Sequence, residues 1–169
     1  MRAASYPASV GRTSVPCSRA ASALQSGGPG VGDAVRSGVG VAVGAALGLG
    51  VDRDGRVLLA RHRFGGPQWR FLGGFIRRGE RVEDALTREI REETGLEIEV
   101  GPILEVNTGF RWARVEMVFA FRVTGGTEAL TAEVAELGWF PMDGLPDVRA
   151  DQRGLIERNL GRARDWAAG

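Results

Sequence analysis

The run from Gly74 to Leu96 constrains this chain more than any other stretch. It reads Gly74-Phe-Ile-Arg-Arg-Gly-Glu80-Arg-Val-Glu-Asp-Ala-Leu-Thr-Arg88-Glu89-Ile90-Arg-Glu92-Glu93-Thr-Gly95-Leu96. Residues 81–94 contain no Gly or Pro and are rich in helix formers, so the spacing predicts a helix there. Val82, Ala85, Leu86 and Ile90 recur at spacings of three and four and mark one apolar face. Glu89 follows Val82 by one heptad, and Glu93 follows Leu86 by one heptad. At about 100° per residue, both acids continue the apolar stripe. Asp84 and Arg91 fall on the opposite face, where a solvated charge run belongs.

Three carboxylates within about one helical turn repel one another, and partial burial adds a desolvation cost. A hard divalent cation with oxygen ligands is the natural compensation, and magnesium suits a few carboxylates together with waters and phosphate oxygens. Such a cation stabilises developing charge and acidifies an attacking water, whose proton a carboxylate outside its shell can take. The fragment Arg88-Glu-Ile-Arg-Glu-Glu93, taken alone, also fits an exposed, salt-bridged helix.

The whole run resembles the Nudix box, G-x5-E-x7-R-E-U-x-E-E-x-G-U with U apolar, and no fixed position is missing. That resemblance implies an α/β/α sandwich with a mixed β-sheet and a hydrolase acting on nucleoside diphosphates linked to another group. It implies magnesium as the cofactor, with manganese as a substitute. The implied metal ligands are the Gly73 carbonyl, Glu89, Glu92 and Glu93, with Glu89 or Glu92 also serving as base. Arg88 is expected to pair with a neighbouring carboxylate and orient it. Glu80 is expected to orient the loop and helix, Gly74 to let backbone approach a ligand, and Gly95 to cap the helix. The family commonly has Pro before the paired glycines, where this chain has Leu72. The resemblance spans about residues 38–145.

Composition excludes several other chemistries. All 22 basic residues are Arg, so any cationic phosphate contact comes from a planar guanidinium fork. A net charge of +1 gives no argument for duplex or membrane-surface binding. Cys17 is the only cysteine and His62 the only histidine. A disulfide within the chain is therefore excluded, and a histidine-based zinc site or serine triad is disfavoured. The uncharged stretch Ser37–Val51 is Gly-rich and too short to span a bilayer. The expected partner is a small nucleotide in the cytoplasm, without membrane or nucleic acid; a homodimer is allowed.

Residues 1–36 are rich in Ala, Ser, Gly and Arg, with no acid before Asp33. They read as a disordered extension in preference to an acid-poor targeting peptide. Residues 37–169 read as one α/β domain. Strands are expected over Val39–Gly50 and Arg56–Arg63, joined by an Asp52–Gly55 turn, and over Glu97–Asn107 and Arg114–Thr124, joined at Thr108-Gly109. Gly125-Gly126 is expected to break the run. A short strand follows at Leu137–Phe140, then a helix over Asp151–Trp166, weakened by Gly154 and Gly161.

Substrate signals are softer. Arg61 and Arg63 are candidate phosphate or ribose contacts, or solvent-facing arginines. Trp69, Phe71 and Phe75 flank the glycines, and Phe75 is the candidate to stack on a base, although core packing is the more common fate of such aromatics. Glu133 precedes Glu136-Leu-Gly-Trp139-Phe140, where some Nudix members use a loop carboxylate. The Pro typical of ADP-ribose hydrolases is not found in Gly109-Phe-Arg-Trp112. The Tyr of dinucleoside polyphosphate hydrolases and the signature of NADH pyrophosphatases are also absent. A nucleotide sugar or a nucleoside triphosphate stays open as substrate. A catalytically silent nucleotide sensor and an RNA 5′-end hydrolase are the alternatives.

Overall fold

In the computed structural model, residues 43–109 and 114–169 are described. The expected extension over residues 1–36 and the start of the expected strand at Val39 lie outside them. Strands β1 (Val43–Val51), β2 (Val57–His62), β3 (Trp69–Arg70) and β4 (Leu72–Phe75) precede helix α1 (Val82–Thr94). Then come β5 (Leu96–Gly109), β6 (Arg114–Gly126), β7 (Val134–Phe140), a 3-10 turn (Met142–Gly144) and helix α2 (Ala150–Ala168).

The strands form one mixed sheet in the order β3-β2-β1-β6-β5, with β4 paired to β1 and β7 to β2. β1 runs parallel to β6 over Val43–Gly50. On its other edge β1 meets β4 through Ala45–Gly48 and β2 through Gly50–Val51, both antiparallel. The Gly73-Gly74 pair therefore sits inside a strand, at the edge of β1.

Period-two alternation sorts the core into two layers. Leu47, Leu49 and Val51 of β1, Val57 and Leu59 of β2, and Phe71 join Leu155, Ile156 and Leu160 of α2 in one cluster. Ala46 of β1, Leu58 and Ala60 of β2, and Leu72 join Ala85, Leu86 and Ile90 of α1 in the other. This is the expected α/β/α arrangement. Gly48 and Gly50 leave room on the α1 side for Phe121: a Cβ on Gly48 would stand 2.6 Å from its ring. Real side chains never approach so closely, so the Gly-rich pattern of β1 reflects one large aromatic packed across it.

The strands do end at Thr108-Gly109 and Gly125-Gly126, but these residues stay in the ladder as paired strand residues where a turn was expected. Thr108 and Gly109 pair with Val115 and Arg114, while Gly125 and Gly126 pair with Glu97 and Leu96. Their partners continue the ladder, and that outweighs the turn preference of glycine. β7 begins at Val134, three residues before the expected Leu137. Helix α2 runs through both Gly154 and Gly161, because its buried face, including Gln152 and Asn159, packs on the sheet.

Candidate active site

Helix α1 carries the site. Its apolar residues Ala85, Leu86 and Ile90 are buried, and Gly95 closes it in the left-handed conformation (φ 73°) with its N–H donated to Arg91. The side chains of Glu89 and Glu93 are 21% and 12% exposed, and Glu92 is 50% exposed. Glu89 and Glu93 thus continue the inward stripe, and Glu92 lies at its solvent edge. Asp84 and Arg91 are exposed, as the wheel requires.

Arg88 is a hub on the same helix. Its Nε and Nη2 donate to both oxygens of Glu80, at 2.7 and 3.0 Å. Nη1 donates to Glu89 Oε1 at 2.7 Å, and Nη2 to the Phe75 carbonyl at 3.1 Å. Glu80 Oε2 also accepts the backbone N–H of Arg77 at 2.8 Å. The Arg88 hydrogen bonds, then the Arg77 N–H, hold the Glu80 carboxyl at about 2, far below its ordinary value. Arg88 in turn is raised, first by Glu80 and then by Glu89. One guanidinium thereby fixes the loop, the end of β4 and a carboxylate of the helix.

Gly74 lies against that carboxylate. Alternation from buried Leu72 turns Gly74 towards α1, and a Cβ there would stand 2.5 Å from Glu89 Cδ. Gly73 adopts φ 132°, and a Cβ on it would run into the Ala46 carbonyl oxygen. Both positions need glycine, one for its neighbour and one for its own backbone. Burial raises the Glu89 carboxyl above its ordinary range, Arg88 opposes that, and the charges of Glu93 and Glu92 add to it.

Glu93 is held from β2. Its Oε1 lies 3.4 Å from His62 Nε2, and Arg70 Nε donates to His62 Nδ1 at 2.7 Å. Arg70 Nη2 also donates to the Phe64 carbonyl at 2.6 Å. Glu93 Oε2 is buried and has no hydrogen-bond partner. A buried, unpartnered carboxylate oxygen costs free energy unless something binds it. Together with the desolvated Glu89 beside Gly74, it fits a hard divalent cation with oxygen ligands.

The three carboxylates do not converge as expected. Among the described residues, no group of three His, Cys, Asp or Glu side chains is gathered to hold a metal ion. Glu89 is turned onto Arg88, and Glu92 stands between Arg77 and Arg88 at 3.5 and 3.4 Å. Arginine partners occupy two carboxylates, and of the three Glu93 alone keeps a buried oxygen without a hydrogen-bond partner.

The outlying candidates divide. Arg61 forks onto Glu136, with Nε–Oε2 at 3.1 Å, on the face of β2 away from His62. Arg63 is exposed, and its backbone N–H donates to the carbonyl of exposed Glu133 at 2.9 Å. Phe75 is 45% exposed. Phe71 is buried, and Trp69 packs edge-on against Phe140 with ring centroids 4.8 Å apart. His62 and Arg70 were not among the expected site residues. Alternation from Leu58 through Ala60 puts His62 on the α1 face, a signal present in the sequence; Arg70 lies in the two-residue β3, too short to carry one.

The chain matches the family model described as NUDIX domain over residues 41–158. It is 31% identical over 107 residues to a MutT-like protein of Streptomyces ambofaciens, covering 63% of this chain and 69% of that protein. It is 31% identical to an ADP-ribose pyrophosphatase of Methanocaldococcus jannaschii, covering 63% and 67%. It is 35% identical to the NAD-capped RNA hydrolase NudC of Pseudomonas aeruginosa, of whose length it spans only 42%. Among solved structures it is similar to a UDP-X diphosphatase (TM-score 0.65, 23% identity, 79% of this chain and 71% of that one). A MutT NUDIX hydrolase from Burkholderia pseudomallei is also similar (TM-score 0.61, 27% identity, 70% and 98%).

Proposed function

This chain belongs to the Nudix hydrolase family and is an enzyme of it; we propose that it cleaves the diphosphate linkage of a nucleotide sugar or nucleoside triphosphate with magnesium. The observation that carries this reading is the buried, unpartnered Oε2 of Glu93 beside the desolvated Glu89 carboxylate. Glu93 would be the principal ligand, with the Gly73 carbonyl and, once turned from its arginine partners, Glu92 or Glu89 completing the set; the carboxylate left outside would serve as base. The bound ion, magnesium or manganese, supplies charge neutralisation at the phosphate oxygens and acidifies the attacking water.

The chain's own residues do the rest. Arg88 holds Glu89 in one orientation, so the carboxylate meets its target without a reorganisation cost. Glu89, with its carboxyl raised by burial, accepts the proton of the attacking water, and Glu92 at the solvent edge is its alternate. Arg61, Arg63, exposed Phe75 and the loop carboxylate Glu133 serve the nucleotide. For Arg61 this requires exchange of Glu136 for a substrate oxygen. Among the described residues no helix is long and apolar enough to cross a membrane; the proposed setting is the cytoplasm, where nucleotide substrates are found.

The test is a panel of nucleotide sugars, nucleoside triphosphates, ADP-ribose and an NAD-capped oligonucleotide, incubated with Mg, Mn or EDTA, with products identified. A metal-dependent diphosphate cleavage of a sugar nucleotide or triphosphate supports the proposal. Preference for the capped oligonucleotide would move the assignment to RNA ends. Thermal stabilisation by nucleotides without turnover under any metal would make the chain a sensor.

A further inference from the structure

The only histidine of the chain is wedged between an arginine and the carboxylate that leaves an oxygen open. His62 and Glu93 are each 12% exposed, so neither is a surface group that solvent can orient. Arg70 has only donors to offer. Its Nε–H points at His62 Nδ1 at 2.7 Å, so Nδ1 must present its lone pair. The neutral ring then carries its proton on Nε2, the nitrogen 3.4 Å from Glu93 Oε1. Arg70 is itself anchored, through Nη2 to the Phe64 carbonyl and through its place opposite Ala60 in the β2–β3 ladder.

A register shift at Arg61/His62 lets His62 pair with Val134, although Arg61 pairs with Glu136. β7 thus carries one extra residue, Ala135, opposite this point. Bulges of this kind re-aim side chains, and they recur next to active sites.

We infer that Arg70 and His62 form a relay that positions the Glu93 carboxylate: Arg70 selects the Nε2–H tautomer, and His62 donates to Oε1 so that Oε2 is the oxygen offered to the metal. This rests on the reading of Glu93 as a metal ligand. His62 is a positioning residue, and metal affinity is the property it sets. Partners that orient a metal ligand from behind contribute about 10–100-fold to affinity.

The untagged full chain, with its single histidine labelled with nitrogen-15, gives the tautomer directly by NMR. The relay requires a protonated Nε2 and an unprotonated Nδ1 whose resonance shifts in Arg70→Met; a protonated Nδ1 overturns it. Manganese binding, followed by electron paramagnetic resonance without nucleotide, gives the second arm. His62→Ala is expected to weaken binding about 10–100-fold, and His62→Gln, which keeps an N–H donor at the same reach, to recover most of it. Turnover of His62→Ala at saturating metal should return towards wild type, which a merely misfolded site would not do. If His62→Ala is too unstable to assay, Arg70→Met and His62→Gln carry the comparison. Should Glu93→Gln weaken manganese binding while His62→Ala and Arg70→Met do not, the relay fails and the ligand assignment stands. Should Glu93→Gln bind manganese as wild type does, the ligand assignment itself fails.

Discussion

Gly74 has no side chain because the Glu89 carboxylate stands where its Cβ would go, 2.5 Å from Cδ. Gly74→Ala therefore displaces Glu89 from its Arg88 hydrogen bond without disturbing the core. We expect an unchanged circular dichroism spectrum with kcat reduced about 100-fold, the cost of a roughly 1 Å misplacement at a site of this kind; wild-type kcat would contradict it. Glu80 makes a pH prediction. In the folded chain its carboxyl sits at about 2 against an ordinary 4.5. Ionised Glu80 thus favours the folded state above the ordinary value, and the advantage fades as pH falls from about 4.5 towards 2. The Tm difference between wild type and Glu80→Gln should be full near neutral pH and shrink through that window; a difference independent of pH contradicts the assignment. The inward placement of Glu89 and Glu93 was legible because helical period and heptad spacing determine it. Their arginine partners were only partly so: the resemblance implies that Arg88 pairs with a neighbouring carboxylate but does not say that it joins both Glu80 and Glu89. Arg70–His62–Glu93 joins three elements distant in sequence.

At the scale of elements, β1 shows how one strand serves two helices. Its residues Leu47, Leu49 and Val51 face α2, and its Gly48 and Gly50 accept the Phe121 ring on the α1 side. Gly48→Ala should overpack that side and cost about 1–3 kcal/mol in urea unfolding. Leu86→Ala, at a fully buried position of α1, should cost about 2–5 kcal/mol. Midpoints unchanged from wild type would contradict either prediction. Helix α1 was legible to within a residue, since its start and its Gly95 stop are both local signals. β3 and β4 were not, because two- and four-residue strands carry too little pattern and owe their conformation to β1 and β2. The glycines at the ends of β5 and β6 misled for a related reason: a partner strand decides whether a glycine turns or pairs.

Over the whole described domain, the sheet and its two covering helices set Gly74 of β4 against Glu89 of α1 and His62 of β2 against Glu93 of the same helix. The layer order was legible from alternation and periodicity, and the reaction class from the intact run of residues 74–96. The substrate was not, because the proposed contacts Arg61, Arg63, Phe75 and Glu133 are scattered over two strand ends and two loops and share no spacing. Arg61 also starts from a fork onto Glu136 that no local pattern announces. The central proposal is that the buried, unpartnered oxygen of Glu93 binds the divalent metal on which hydrolysis depends. It is tested most directly by turnover of the best panel substrate at saturating magnesium, wild type against Glu93→Gln. The predicted result is a loss of at least about 100-fold in kcat/KM with the fold intact; full activity in Glu93→Gln would contradict the account.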